Sequence, residues 1–238
     1  MNDGTAARRA EISDRLDTVR KRIAAACQSA GREPGEVTLV AVTKTFPASD
    51  VRLLAGLGVH HVGENKDQEA APKAAECADL ADVLTWHFIG QLQTNKAASV
   101  VGYAGYVHSV DRPHLVQALG RRAAMAGRVV TCLVQVSLDD APGRGGAAQA
   151  DVPALAESIA AQESLLLGGI MAIAPLDVPA AEAFAALPRL SAAVRQIRPA
   201  ATMISAGMTG DLEEAIAAGA THVRVGTALL GGRPSFVG

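Results

Sequence analysis

The chain has 238 residues, 49% of them apolar, and a formal charge of −2. That balance excludes a sequence-wide attraction to nucleic acid or anionic membranes, and 19% charged residues with 23 glycines describe a globular chain. Aromatics are only 3%, so aliphatic side chains must fill the core; three well-separated cysteines, Cys27, Cys77 and Cys132, suit a reducing cytosol.

The first thirty residues mix Arg8, Arg9, Glu11, Asp14, Arg15 and Asp17 with apolar runs too short for a signal peptide or a membrane span, so a cytoplasmic location is expected. Ile12, Leu16, Val19 and Ile23, spaced by four, three and four, predict an opening helix with one apolar stripe that ends near Gly31. Strands follow near 37–44, 60–64, 86–90, 105–110, 129–138, 166–173, 201–206 and 222–226, with helical segments after the first seven. Eight such units suit a parallel (β/α)8 TIM barrel, for which about 250 residues is typical, and residues 1–238 read as one domain. The runs VTLVAV and RVVTCLVQV are continuously apolar, as strands buried on both faces should be, although a doubly wound open sheet would give a similar string. AGLGVHHVGE and AAGATHVRVGT echo each other as repeated units with glycine at a helix end. His60 and His61 are strand neighbours facing opposite ways, and no His/Cys cluster has ligand spacing, so no metal site is expected.

The stretch LVAVTKTFP raises the first chemical question, because Val40, Val42 and Lys44 share one face of an alternating strand. Taken alone, Lys44 reads as a strand-end lysine reaching into water. In a (β/α)8 barrel, however, reactive groups sit at the C-terminal strand ends, and that rim collects Lys44, Glu64, Asn65, SAGMTGD and RVGTALLGG. SAGMTGD leads from a strand into a helix, with Gly207 and Gly210 freeing the backbone and Asp211 or Thr209 placed to cap. Ser205, Gly226 and Thr227 could add donors for a phosphate there; an ordinary capped turn would read the same way. PGRGG around Arg144 lacks the Lys-Ser/Thr pair of a nucleotide phosphate loop. The first and eighth strands adjoin in a closed barrel, which puts Lys44 beside Arg224, whose charge would raise the nucleophilic fraction of the amine. An aldehyde for Lys44, a phosphate for the glycine-rich rim and a ring nitrogen for a donor together describe pyridoxal phosphate.

These blocks resemble the pyridoxal phosphate homeostasis proteins, also called YggS-like or proline synthetase co-transcribed homologues. The most specific is WHFIGQLQTNKAASV, from Trp86 to Val100; AVTKT, GEN with Gln68 and Glu69, GIMAI, SAGMTGDLEEAIAAG and VRVGTALLG follow the family's order. The resemblance implies an alanine racemase N-terminal domain-like barrel with an extra opening helix, and pyridoxal phosphate held as a Schiff base on Lys44. It implies phosphate contacts from Ser205, Gly226 and Thr227, Arg224 facing the pyridine nitrogen, and Asn65 near the ring. It implies a monomer that carries or regulates the cofactor and amino-acid balance without an accepted catalytic reaction. Two positions depart: Arg144 and Gly146 stand where lysine and then glycine are common, and Lys66 where an aromatic is common.

The leading reading is a carrier or reservoir of pyridoxal phosphate, with apoenzymes as possible recipients. An amino-acid racemase is the alternative; it needs a second acid/base on the opposite face of the cofactor, and the two tyrosines, Tyr103 and Tyr106, flank the fourth strand. A Schiff-base aldolase using Lys44 on a sugar phosphate without cofactor is the third.

Overall fold

The computed structural model describes residues 3–139 and 145–232. In it eight parallel strands, β1 (Thr38–Val42), β2 (His61–Glu64), β3 (Thr85–Phe88), β4 (Tyr106–Val110), β5 (Val130–Val136), β6 (Leu165–Ala172), β7 (Met203–Ser205) and β8 (His222–Val225), close on one another in chain order. Closure is made by β1 against β8, with Val40 opposite Arg224 and Ala41 opposite Val225. The open-sheet alternative is thereby excluded.

Outward strand residues such as Ala41, Val62, Val107, Cys132, Val134 and Val223 are fully buried under the surrounding helices. Those helices are α1 (Asp3–Ser29), α2 (Ala48–Ala55), α3 (Asp67–Glu76), α4 (Ala97–Tyr103), α5 (Pro113–Met125), α6 (Val152–Ala160), α7 (Ala180–Phe184), α8 (Leu187–Ile197), α9 (Leu212–Ala217) and α10 (Thr227–Leu230). Few aromatics are needed because branched aliphatics and alanines fill this shell.

The opening helix follows its predicted stripe. Ile12, Leu16, Val19 and Ile23 pack into a cluster with Leu212, Ile216, Val223, Leu229 and Leu230, so α1 clamps the last turns of the barrel. Full burial of such a side chain contributes about 1.5–3 kcal/mol, so this stripe decides where α1 sits. Arg22 then bonds Glu213 at 2.8 Å and the Thr209 carbonyl at 2.9 Å, and Arg32 bonds the Ala220 carbonyl at 2.8 Å, tying α1 to the segment around α9.

Two departures from the sequence expectations matter for the rim. The first strand ends at Val42, so Lys44 lies in the turn beyond it, and a four-residue helix, α10, follows the eighth strand. At the β6–β7 seam, Gly169 has φ +145°, and a Cβ there would come within 2.0 Å of the Met203 carbonyl oxygen. Only glycine permits that approach.

Candidate functional site

Lys44 leaves β1 on a backbone held from both sides. Before it, fully buried Thr43 donates its hydroxyl to Glu64 Oε1 at 2.6 Å, and its carbonyl accepts from Lys73 Nζ at 2.8 Å. After it, Thr45 takes φ +69°, a left-handed conformation that costs a β-branched residue of order 1–3 kcal/mol, while its N–H bonds Glu69 Oε2 at 3.1 Å. A strained residue fixed by its neighbours directs the adjacent side chain. Lys44 itself is half-buried, not enclosed as a core-directed lysine would be.

Asn65 follows β2 on the same rim. A Cβ on Gly90 would fall 2.1 Å from the Asn65 carbonyl oxygen, so the glycine of the Trp86–Val100 block lets the third strand end lie against Asn65. Trp86 and Phe88 of that block are buried outside the barrel wall, and Trp86 meets Tyr103 edge-on. Lys66 is exposed, 3.9 Å from Glu69 Oε1.

On the opposite side, Gly207 has φ +89°, and a Cβ there would come within 2.7 Å of the Ala215 Cβ. Its carbonyl accepts from the Arg224 N–H at 2.9 Å, docking the SAGMTG turn on β8. Asp211 occupies the position before α9, yet its side chain accepts from the Met208 N–H at 2.6 Å and does not cap the helix. Gly226 precedes α10, and a Cβ on it would meet both the Cβ and the carbonyl oxygen of Val42 at 3.3 Å. The turn carrying Gly226 and Thr227 therefore lies against the strand whose exit carries Lys44. The first N–H groups of any helix lack helical acceptors, so donors are available at this turn. A cavity of about 290 Å³ opens at the same rim between the ends of β5 and β6, bounded by Gln135, Ser137, Gly145, Ile173 and Met208.

Arg224 and Ser205 meet directly. The guanidinium is buried, donates from Nη1 to Ser205 Oγ at 2.7 Å and from Nη2 to the Ala172 carbonyl at 2.9 Å. Burial lowers its pKa to about 10, so it remains a cation and a donor at neutral pH. These groups suit a molecule with an anionic tail and a nitrogen acceptor: glycine turns bring backbone close to the tail, and a buried cation has N–H groups to spare.

Sequence reasoning missed the imidazoles behind Arg224. His61, His87, His108 and His222 all project into the barrel, with Tyr106 stacked on His87 at 4.5 Å and 7°. The signal was parity, since His61, His87, His108 and His222 occupy inward positions of strands whose outward positions are apolar. Burial is the first cause that lowers each imidazole pKa, for His222 to about 4.

The structure thus joins Ser205 to Arg224, and Gly226 to the strand leading to Lys44. Asn65 has no hydrogen bond to Lys44, Ser205 or Arg224 among the described residues, and Arg144 lies outside those residues. Neither tyrosine stands at the rim as a second acid/base: Tyr106 opens β4 at the far end of the barrel, and Tyr103 lies on α4 with its hydroxyl 3.5 Å from Asp67. Among the described residues no group of His, Cys, Asp or Glu is arranged to hold a metal, and no helix is long and apolar enough to cross a membrane.

Residues 15–234 match the alanine racemase N-terminal domain family. The chain is 44% identical, over 95% of its length and 94% of the relative's, to a pyridoxal phosphate homeostasis protein of Mycobacterium tuberculosis. It superposes with a TM-score of 0.80 on PipY of Synechococcus elongatus solved with pyridoxal phosphate bound, at 37% identity over 92% of this chain and 100% of that one. Alanine racemase from Corynebacterium glutamicum superposes with a TM-score of 0.67 at 14% identity, over 93% of this chain and 63% of that one, a likeness of fold alone. By sequence and by the barrel it forms, this chain belongs to the pyridoxal phosphate homeostasis proteins, within the alanine racemase N-terminal domain family.

Proposed function

We propose that the protein binds pyridoxal phosphate through Lys44 and serves intracellular pyridoxal phosphate homeostasis, and with it amino-acid balance, as a carrier or reservoir. The observation that carries the reading is the packing of Gly226 against Val42, which puts the turn before α10 beside the chain leading to Lys44, with buried Arg224 on the same strand. When bound, the cofactor supplies an aldehyde that condenses with an amine and a pyridine ring that withdraws electrons once its nitrogen is protonated. In this reading Lys44 provides the amine, and Thr45, pinned by Glu69, aims it. Gly226 and Thr227 offer backbone and hydroxyl donors to the phosphate with Ser205 alongside, and Asn65 flanks the ring.

Arg224 offers an N–H to the ring nitrogen and keeps its own proton at neutral pH, so the nitrogen stays an acceptor and carbanion chemistry is disfavoured. That is the behaviour of a holder of the cofactor more than of a racemase, and the names of the relatives describe homeostasis. The racemase alternative has fold likeness behind it and no second acid/base among Tyr103 and Tyr106. The reading takes residues 1–238 as one cytoplasmic, monomeric barrel domain, with apoenzymes as recipients of the cofactor.

The test is direct. Purified protein mixed with pyridoxal phosphate should gain a visible absorbance band that borohydride removes, leaving a cofactor-sized mass adduct on Lys44; Lys44→Ala should show neither. An adduct elsewhere, or wild-type protein without one, ends the reading. Racemisation of L-alanine that vanishes in Lys44→Ala would replace it with the alternative.

A further inference from the structure

Three imidazoles and one hydroxyl run in single file through the barrel. His61 Nδ1 lies 2.9 Å from His87 Nε2, His87 Nδ1 lies 2.8 Å from His108 Nε2, and His108 Nδ1 lies 2.9 Å from Ser205 Oγ. Ser205 Oγ also accepts from Arg224 Nη1 at 2.7 Å. The lower end, His61, is half-buried and lines a cavity of about 510 Å³ with Arg20, Gly35 and His60 on the face where the strands begin. The upper end is fully buried Ser205, at the last position of β7. The file therefore spans the barrel from its lower face to the rim.

A neutral imidazole has one N–H and one lone pair, so the direction of any one link dictates all the others. Burial, with neighbouring His61, His222 and Arg224 adding to it, holds His87 and His108 well below the ordinary imidazole value, and burial beside His60 lowers His61. All three rings are neutral at neutral pH. Two arrangements then satisfy every link. In one, Ser205 donates to His108 and each ring carries its proton on Nε2. In the other, each ring carries it on Nδ1, His108 donates to Ser205, and the serine hydrogen is released to point elsewhere. Without an acceptor the second leaves a buried hydroxyl hydrogen unpaired, and the first prevails. His222 stays out of the file, bonded to Thr221 Oγ1 at 2.8 Å.

We propose that His61, His87, His108 and Ser205 form a proton relay through the barrel that turns the Ser205 hydroxyl from His108 toward an acceptor on a ligand seated beside Arg224. The proposal rests on the reading of the rim as a pyridoxal phosphate site and adds three positioning residues to it. In the conversion Ser205 Oγ passes its proton to His108 Nδ1, His108 Nε2 to His87 Nδ1, and His87 Nε2 to His61 Nδ1. His61 Nε2 releases a proton to water in the lower cavity, and Ser205 Oγ takes one from water at the rim. One proton enters, one leaves, and only O–H and N–H bonds change. Ring rotation would break both hydrogen bonds of His87 and its stacking on Tyr106.

Imidazole nitrogen NMR of the full-length protein reads the tautomers directly, before and after addition of pyridoxal phosphate. Expected are Nε2–H at His61, His87 and His108 without cofactor and Nδ1–H at all three with it, while His60 and His114 stay unchanged. Mixed tautomers among the three rings in either state overturn the relay, as do rings that stay unswitched in protein carrying the Lys44 adduct. If no pyridoxal phosphate is taken up, the cofactor reading fails on absorbance and mass alone, while mixed tautomers or Nδ1–H in the cofactor-free spectrum still overturn the relay. His61→Phe removes the lower end at a position remote from the rim. The Nε2–H of His87 then has no acceptor, so His87 and His108 should no longer show the change from uniform Nε2–H to uniform Nδ1–H on addition of the cofactor; wild-type switching in this variant overturns the relay.

Discussion

Between β1, β2 and α3, Lys73 Nζ meets Glu64 Oε1 at 2.5 Å with both side chains buried, whereas inside the barrel His61, His87 and His108 meet one another and Ser205. Both clusters are polar groups withdrawn from water, yet they are balanced differently. The outer one is ionic and leaves Glu64 Oε2 buried without a hydrogen-bond partner among the described residues. The inner one is neutral, and each link of its file is a hydrogen bond. A buried charge must be compensated by another charge and by full hydrogen bonding, while a neutral ring needs only one donor and one acceptor. Acid separates the two. Burial raises the pKa of Glu64 against the lowering effect of Lys73, so the stability it contributes is present at low pH and lost as pH rises through its folded value. His87, His108 and His222 have depressed values, so theirs is present above the ordinary imidazole value and lost as pH falls.

The largest expected effect tests that opposition. Between pH 6.5 and 4, His222 alone should remove about 3 kcal/mol of unfolding free energy, with His87 and His108 acting in the same direction. Urea unfolding across this window should show the loss, and His222→Phe should reduce it by about that amount; a flat profile would remove the contrast between the clusters. Next, Lys73→Met strands the Glu64 carboxylate and should cost about 3 kcal/mol at pH 7. Acidification should restore part of this loss, since the carboxyl can take up a proton, and recovery by acid is the signature to measure. His108→Leu deprives His87 Nδ1 and Ser205 Oγ of a partner and should cost about 2 kcal/mol at pH 7; the gap narrows in acid because the wild type there loses the contribution of His108. The smallest effect is expected outside both clusters: Arg22→Ala loses a partly exposed pair with Glu213 and should cost less than about 1 kcal/mol, an effect that salt should weaken further.

Much of the fold was legible because two signals repeat along the chain. The four-three-four spacing of Ile12, Leu16, Val19 and Ile23 marked α1, and apolar runs such as VTLVAV marked strands buried on both faces. The rim was legible in part: Lys44, Asn65, Ser205, Arg224, Gly226 and Thr227 all lie at or just beyond C-terminal strand ends, as the alternation of strands and helices required. The turn at Lys44–Thr45 was not, because a left-handed φ at a threonine is imposed by Glu69 from another unit and has no local signature. Nor was the file of imidazoles: His61, His87 and His108 are far apart in sequence, and only parity hinted that they share an interior.

By itself the amino-acid order determined the number of strands, their sequence and the face each residue presents, because backbone periodicity and the burial of aliphatic side chains act over short spans. Which polar groups meet was decided by tertiary structure alone. Closing the barrel fixes register, and register is what places Ser205 between His108 and Arg224 and Gly226 against Val42. Those contacts span distances along the chain over which no local preference acts, and they follow from the geometry of eight staves joined edge to edge.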